Sequence, residues 1–261
     1  MRLFGLIGYP LTHSFSAKYF TDKFQKESIS DSHYYNFPIQ QINDVLKIFE
    51  KENLCGFNVT IPYKESIIPF LDELDSSASG VGAVNTVVIR NKKKIGFNTD
   101  IYGFECSLLG SYPTKPQGSQ KNNILSGLSA LVGNDTKALV LGTGGSSKAV
   151  AYVLNKLGIK YISVSRTRKE NIISYTDLRP QTILEHKLII NTTPLGMFPE
   201  IADAPDIPYS FITSEHLLFD LIYNPEETEF LKRGKQQGAQ IKNGLEMLQL
   251  QAEKSWEIWN K

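Results

Sequence analysis

Ala138-Leu139-Val140-Leu141-Gly142-Thr143-Gly144-Gly145-Ser146-Ser147 is the stretch on which the fold turns. Its first four residues are apolar and read as a buried strand, and a helix is expected over Ala149 to Leu157. Between them stands a glycine-rich turn. The first glycine permits the tight turn, and the second lets the backbone approach a pyrophosphate whose charge suits a helix N-terminus. Ser147 takes the place of a third glycine, so small Ala149 is expected to supply the close helix–strand packing. A plain glycine turn capping a helix needs the same residues; the strand–turn–helix context favours a dinucleotide site.

The next strand, Tyr161 to Val164, selects the dinucleotide. An NAD site usually places an acid at the end of that strand for the ribose 2′-hydroxyl. Here the strand runs into Ser165-Arg166-Thr167-Arg168, which holds no acid. Two guanidinium groups and a hydroxyl suit a 2′-phosphate, because guanidinium binds phosphate through charge-assisted, often bidentate bonds. A solvated basic turn is the competing reading; the pattern points to NADP(H). Leu188 to Asn191 and Leu217 to Leu221 read as further strands of this second α/β unit.

Upstream, short apolar strands also alternate with helical patterns. Strands are expected at Leu3 to Ile7, Tyr34 to Phe37 and Gly56 to Thr60, with a helix over Phe15 to Phe24. Ile42 to Phe49 has helical spacing that places Ile42, Val45, Leu46 and Phe49 on one face. Val84 to Arg90 and Lys94 to Phe97 read as a hairpin around Asn91-Lys92. This alternation predicts a mostly parallel α/β sheet. Residues 110–129, with Pro113, Pro116, Gly118 and Gly127, read as a surface loop. Gly244 to Trp259 reads as an amphipathic helix with Leu245, Leu248, Ala252, Trp256 and Trp259 on its apolar face. Periodicity does not say which domain receives it.

Composition removes several classes. The 261 residues are 41% hydrophobic and 21% charged with net charge +1, which fits a folded chain and gives no field favouring nucleic acid or an anionic membrane. Lys92-Lys93-Lys94 reads as a solvated hairpin tip. Cys55 and Cys106 match no disulfide or zinc spacing and read as buried thiols in a reducing cytoplasm; the four histidines show no metal spacing. The N-terminal apolar run is too short for a signal peptide, and no stretch approaches the ~20 apolar residues of a membrane span.

Polar residues in the first unit carry the next signal. Gly8-Tyr9-Pro10-Leu11-Thr12-His13-Ser14-Phe15-Ser16 follows the first strand. Ser14 and Ser16 can cap the following helix or offer hydroxyls to a carboxylate there, and the local sequence serves both equally. In Gly56-Phe57-Asn58-Val59-Thr60-Ile61-Pro62-Tyr63-Lys64 a strand ends, a proline starts a turn and a lysine follows. Most such lysines are solvated surface groups, but one near a strand end can exchange a proton if desolvation lowers its pKa. Gly96-Phe97-Asn98-Thr99-Asp100 puts a carboxylate at another strand end, where Asp100 could pair with Lys64. Ligands of parallel sheets bind at such ends.

These segments resemble, in order and over nearly the whole chain, the shikimate dehydrogenase family. The matching runs are Gly8 to Ser16, Asn58 to Lys64, Gly82-Ala83-Val84-Asn85-Thr86, Gly96 to Asp100, Gly142 to Gly145 and Ser165-Arg166-Thr167. Asn191-Thr192-Thr193-Pro194-Leu195-Gly196-Met197, Asp220-Leu221-Ile222-Tyr223-Asn224-Pro225 and Asn243 to Leu248 with Gln251 complete them.

The resemblance implies NADP-dependent, reversible reduction of 3-dehydroshikimate to shikimate in aromatic biosynthesis. It implies Lys64 and Asp100 as the catalytic pair and Ser14 and Ser16 as holders of the substrate carboxylate. Thr60, Asn85, Asp100 and Gln251 would bind ring hydroxyls, with Asn58 and Tyr223 also at the substrate. Gly142, Thr143, Gly144, Gly145 and Ser146 would cradle the pyrophosphate, and Ser165, Arg166 and Thr167 the 2′-phosphate end. Thr192, Met197, Leu221 and Gly244 would lie toward the nicotinamide. The implied fold is two-lobed α/β. Residues 1–103 and 240–261 would form the substrate-binding domain, and 104–239 a Rossmann-like NADP-binding domain. The terminal helix would return to the first domain. The expected enzyme is a cytoplasmic monomer or homodimer with no metal, acting on small molecules and on neither nucleic acid nor membrane.

Two departures stand out. Ala17 replaces a proline common in the family, and residues 111–129 exceed a minimal linker. The alternatives are a quinate/shikimate dehydrogenase with relaxed cofactor use, a nucleotide-binding sensor on the same fold, and another two-lobed nicotinamide enzyme sharing only the second domain.

Overall fold

A computed structural model describes residues 1–11, 15–110 and 135–261. Ser14 and the expected surface loop over 111–129 lie outside these residues. The chain forms two compact units, Met1–Thr99 with Ala252–Lys261, and Asp100–Gln251.

The first unit contains β1 (Arg2–Gly8), α1 (Phe15–Lys26), β2 (Ser32–Pro38), α2 (Val45–Phe49), β3 (Leu54–Val59), β4 (Glu73–Leu74), α3 (Ser76–Val81), β5 (Thr86–Arg90) and β6 (Lys93–Phe97). They form one mixed sheet in the order β2-β1-β3-β5-β6-β4. β1 pairs in parallel with β2 and β3, whereas β5 runs antiparallel to both β3 and β6. Alternate residues of β1 explain the two cores. Ile7 joins Phe57, Val59, Ile67, Val84 and Val87 on one face. Phe4 and Leu6 join Phe20, Phe24, Tyr34, Ile258 and Trp259 on the other. Phe4 stacks on Trp259 at 4.8 Å, and the Trp259 indole N–H donates to the Val87 carbonyl at 3.0 Å, so the end of the last helix is part of this sheet's packing.

The hairpin forms as expected. Arg90 pairs with Lys93 around Asn91 and Lys92, both at positive φ (51° and 66°), the conformation of a two-residue turn matched to strand twist. Lys93 pairs with Glu73, and Lys94 pairs with Asp72 at 3.1 Å, so the basic tip is partly neutralised by its neighbours. Ile42 to Phe49 departs from expectation. It opens as a 3-10 turn over Ile42–Asp44, and the buried residues of the short α2 are Val45 and Ile48, while Leu46 is exposed. The tighter initial turn rotates the face that a uniform 3.6-residue period assigns to Leu46. Cys106 is buried as expected, but Cys55, on the strand's other face, is only half-buried.

The second unit contains α4 (Asp100–Leu109), β7 (Lys137–Leu141), α5 (Gly145–Lys156), β8 (Lys160–Ser165), β9 (Ile172–Ser174), α6 (Pro180–Glu185), β10 (Leu188–Asn191), β11 (Leu217–Asp220), α7 (Glu229–Gln236), β12 (Gln240–Lys242) and most of α8 (Leu245–Trp259). Its sheet has the order β12-β11-β10-β7-β8-β9, and every pair is parallel. This is the doubly wound arrangement, with the order reversing between β7 and β10. Leu139, Leu141, Val164, Ile183, Ile189, Leu218, Phe230 and Leu231 form the core on one face. On the other, Phe104 of α4 meets Phe219 edge-to-face at 5.2 Å.

Helix α8 spans the boundary between the units, and its buried side is not the one that hydropathy suggests. Met247, Leu250, Ala252, Ser255, Ile258 and Trp259 are buried, whereas Leu245 is exposed and Leu248 and Trp256 are intermediate. The buried line passes through Ser255, a polar residue that an apolar-stripe argument skips.

Candidate active site

In the doubly wound unit the chain leaves five adjacent strands at one edge. The expected cofactor residues fall in these segments: Gly142 to Ser146 after β7, Ser165 to Thr167 at the end of β8, Thr192 to Met197 after β10, Leu221 after β11 and Gly244 after β12. The edge includes the switch point, where open α/β sheets receive ligands.

The glycine turn meets a double demand. Gly142 has φ +109°, and a Cβ there would come within 2.6 Å of Thr192 Oγ1. Thr192 is itself fixed, since both its backbone N–H (2.9 Å) and its hydroxyl (2.7 Å) donate to the Leu141 carbonyl. Gly144 is different. Its φ of −80° suits any residue, and an added Cβ would meet no atom of the described residues within 4 Å. Nothing among the described residues calls for a glycine at 144; an approaching ligand would. Gly144 is the N-cap of the twelve-residue α5 and makes no side-chain cap, and the N–H groups of such a helix end suit an anion. Ser147, in the place of the third glycine, is buried and donates its hydroxyl proton to the Gly144 carbonyl at 2.6 Å, while Ala149 is fully buried against the sheet. The turn therefore fits a dinucleotide pyrophosphate.

Arg166 and Thr167 are exposed just past β8. Arg168 leans toward Asp177 at 3.7 Å, which leaves Arg166 as the better-placed guanidinium for a phosphate. Two segments of this edge are locked together by a buried carboxylate that sequence inspection gave no role. Asp220 accepts from Asn191 Nδ2 (3.1 Å), Ile222 N–H (3.0 Å) and the Thr228 hydroxyl (2.6 Å). Asn191 Oδ1 in turn accepts from the N–H (3.0 Å) and hydroxyl (2.7 Å) of Thr193. Burial pushes the Asp220 carboxyl up to about 6 despite these donors. Gly244 packs against the Leu221 carbonyl and donates its N–H to Ile222 O at 2.9 Å. Tyr223 is half-buried with its phenol held protonated by desolvation, so it can act as a donor. Met197 is exposed.

In the first unit, register collects the polar residues. Asn58 pairs with Thr86, and Thr86 with Phe97 across β3, β5 and β6. Thr60, Asn85 and the Asn98-Thr99 step therefore lie at one edge of that sheet. Lys64 stands in the turn after β3. Its carbonyl accepts from Val84 N–H at 2.7 Å, and the preceding Tyr63 hydroxyl donates to Ile39 O at 2.6 Å. Ser16 lies in α1 and hydrogen-bonds the Tyr34 side chain. Asp100 is not the end of a strand. It is the buried first residue of α4, where a carboxylate also complements the helix dipole. Gln251 is the last residue of the second unit.

Side chains that the sequence did not single out connect several of these positions. Tyr34 donates to Asn58 Oδ1 at 2.8 Å, and Asn58 Nδ2 lies 2.9 Å from Ser255 Oγ and 3.1 Å from Thr86 Oγ1. Thr86 and Ser255 are 2.8 Å apart. Asn85 Oδ1 accepts from Thr99 N–H (2.7 Å), Thr99 Oγ1 (3.1 Å) and Thr86 Oγ1 (3.2 Å). No group of metal-ligating side chains occurs among the described residues, and no helix among them is long and apolar enough to cross a membrane.

Residues 6–87 match the family model of the shikimate dehydrogenase substrate binding domain. The NADP(+)-dependent shikimate dehydrogenase of Clostridium beijerinckii is 38% identical over 100% of this chain and 93% of its own. The structure of shikimate dehydrogenase from Aquifex aeolicus superposes with a TM-score of 0.83 at 32% identity, covering 100% of this chain and 92% of that one. Shikimate 5-dehydrogenase from Thermus thermophilus, solved in complex with NADP(H) and shikimate, gives a TM-score of 0.79 at 26% identity over 99% of this chain and 93% of that one. With the glycine turn, the switch-point edge and the polar edge of the first sheet in place, this full-length similarity settles the family: the chain belongs to the shikimate dehydrogenases.

Proposed function

We propose that the chain catalyses the reversible NADP-dependent interconversion of 3-dehydroshikimate and shikimate. The observation that carries this reading is full-length similarity to a dehydrogenase solved with NADP(H) and shikimate, in a chain that keeps Lys64 and Asp100. NADP(H), when bound, supplies or accepts the hydride. Gly142, Thr143, Gly144, Gly145 and Ser146 would hold its pyrophosphate, Ser165, Arg166 and Thr167 its 2′-phosphate, and Thr192, Met197, Leu221 and Gly244 the nicotinamide end.

The protein's own task is placement and proton transfer. Ser14 and Ser16 bind the carboxylate, and Asn58, Thr60, Asn85, Asp100, Tyr223 and Gln251 bind the ring. Lys64 gives a proton to the oxygen of the ring carbonyl as that carbon is reduced, and takes it back in the reverse direction. Asp100 orients Lys64 and accepts from a ring hydroxyl. The first unit, which carries Lys64 and Asn85, is the substrate domain, and the second, which carries the glycine turn, is the cofactor domain. The same reading describes a cytoplasmic monomer or homodimer working on small molecules, its net charge of +1 giving nucleic acid no general attraction.

The test is absorbance at the NADPH band, using purified protein with shikimate and NADP. Rapid reduction with this pair, and little with quinate or NAD, is the expected result. Comparable quinate or NAD activity would move the chain to the broader quinate/shikimate class, and silence with every pair would overturn the reading.

A further inference from the structure

We infer that Ser255 is a positioning residue for the substrate, acting through Thr86 on the carboxamide of Asn85. The inference rests on the proposed function, because it assigns Asn85 to a ring hydroxyl.

The Asn58 and Asn85 amides anchor the network at its two ends. Asn58 Nδ2 faces the backbone carbonyl of Asn85 at 3.2 Å, and a carbonyl only accepts, so the Asn58 amide has one possible orientation. Its Oδ1 then takes the single proton of Tyr34. Its second Nδ2 hydrogen is shared between Ser255 Oγ at 2.9 Å and Thr86 Oγ1 at 3.1 Å. The Ser255 and Thr86 hydroxyls lie 2.8 Å apart, and with Thr86 donating to Asn85 Oδ1 at 3.2 Å it is Ser255 that donates to Thr86. Thr99 adds two more donors to the same oxygen.

Three donors on Oδ1 fix the plane of the Asn85 carboxamide. They commit the carboxamide oxygen to protein donors. A flipped amide would set its NH2 against the Thr99 N–H, donor against donor. Thr86 and Ser255 are both 0% exposed, so water does not compete for these hydroxyls. Ser255 lies one helical turn beyond Gln251 on α8.

A buried serine that merely satisfies its neighbours would affect stability alone, so the test is a double-substitution cycle on the full chain. Ser255→Ala, Asn85→Ala and the pair are compared by kcat/KM for shikimate and by KM for NADP. The expected loss for Ser255→Ala is about five- to twentyfold in kcat/KM, with KM for NADP unchanged. In the Asn85→Ala background the same change should cost less than about twofold, because the group it acts through is gone. If Ser255→Ala fails to fold, Thr86→Val and Thr86→Ser decide: valine keeps the shape and loses the hydroxyl, serine keeps the hydroxyl. Loss in Thr86→Val with near wild-type kcat/KM in Thr86→Ser supports the inference, and equal behaviour overturns it. Equal losses from Ser255→Ala in both backgrounds also overturn it while leaving the proposed function intact. A wild-type chain inactive on shikimate overturns both.

Discussion

At the switch-point edge of the doubly wound sheet, the groups on offer are mostly backbone: the Gly142–Gly145 turn, the first N–H groups of α5 and the Gly244–Leu221 contact. At the polar edge of the mixed sheet they are side chains gathered from Ser16, Tyr34, Asn58, Asn85, Thr86, Thr99 and Ser255. A pyrophosphate carries charge and little shape, so a helix terminus and a close-approaching backbone suffice to bind it. A small hydroxylated ring has no such handle, and distinguishing its hydroxyls needs oriented donors and acceptors. The pyrophosphate turn of the first is written in ten consecutive residues. The second is written in pieces more than two hundred residues apart.

The largest expected effect lies on the mixed-sheet side. Lys64→Ala should lower kcat by about 10²- to 10⁴-fold, the usual contribution of a positioned general acid, with little change in KM for shikimate. Single-turnover measurements would separate this from slow product release, and a variant with near-normal turnover would remove Lys64 from the chemistry.

The backbone side should break more gently, and through the cofactor. Gly142→Ala forces a side chain into φ +109° and against Thr192 Oγ1, so it should destabilise the chain by about 1–3 kcal/mol and raise KM for NADP while sparing KM for shikimate. Urea midpoints and paired KM values check this; a rise confined to shikimate would reverse the assignment of the two edges.

Asp220 gives a prediction in pH. Its folded-state carboxyl lies near 6, above the unfolded reference of 3.8, so the native state binds more protons between those values. Its contribution to stability is therefore present at low pH and is lost as pH rises through about 6, by an amount of order 2–3 kcal/mol across the window. Asp220→Asn can keep all three hydrogen bonds if Thr228 turns its hydroxyl. The variant should gain on the wild type in urea midpoint between pH 5 and pH 7, and a constant difference would contradict the shifted carboxyl.

The contrast also explains what was legible before the structure. Strands β1, β7, β8, β10 and β11, the hairpin at Asn91-Lys92 and the glycine turn all rest on neighbours in sequence, and local pattern found them. The register that unites Thr60, Asn85 and the Asn98-Thr99 step is a property of sheet pairing and has no local signal. Tyr34 and Ser255 were missed for that reason, and because hydropathy treats a buried serine as an interruption of the α8 stripe. Asp100 was expected at a strand end; the chain needs two more residues after β6 before α4 begins, so the carboxylate opens a helix instead. Asp220 was visible only as part of a motif, since its role depends on Asn191 and Thr228 arriving from separate segments.

The most direct test of the division of labour is a crossed set of Michaelis constants for Arg166→Ala and Thr86→Val, each measured with both shikimate and NADP. Arg166→Ala should raise KM for NADP about tenfold or more, as expected for a lost charge-assisted bond, and leave KM for shikimate unchanged. Thr86→Val should weaken use of shikimate and leave KM for NADP unchanged. If either substitution moves both constants together, or if Arg166→Ala leaves the preference for NADP over NAD intact, the separation of a backbone-built cofactor edge from a side-chain-built substrate edge is wrong.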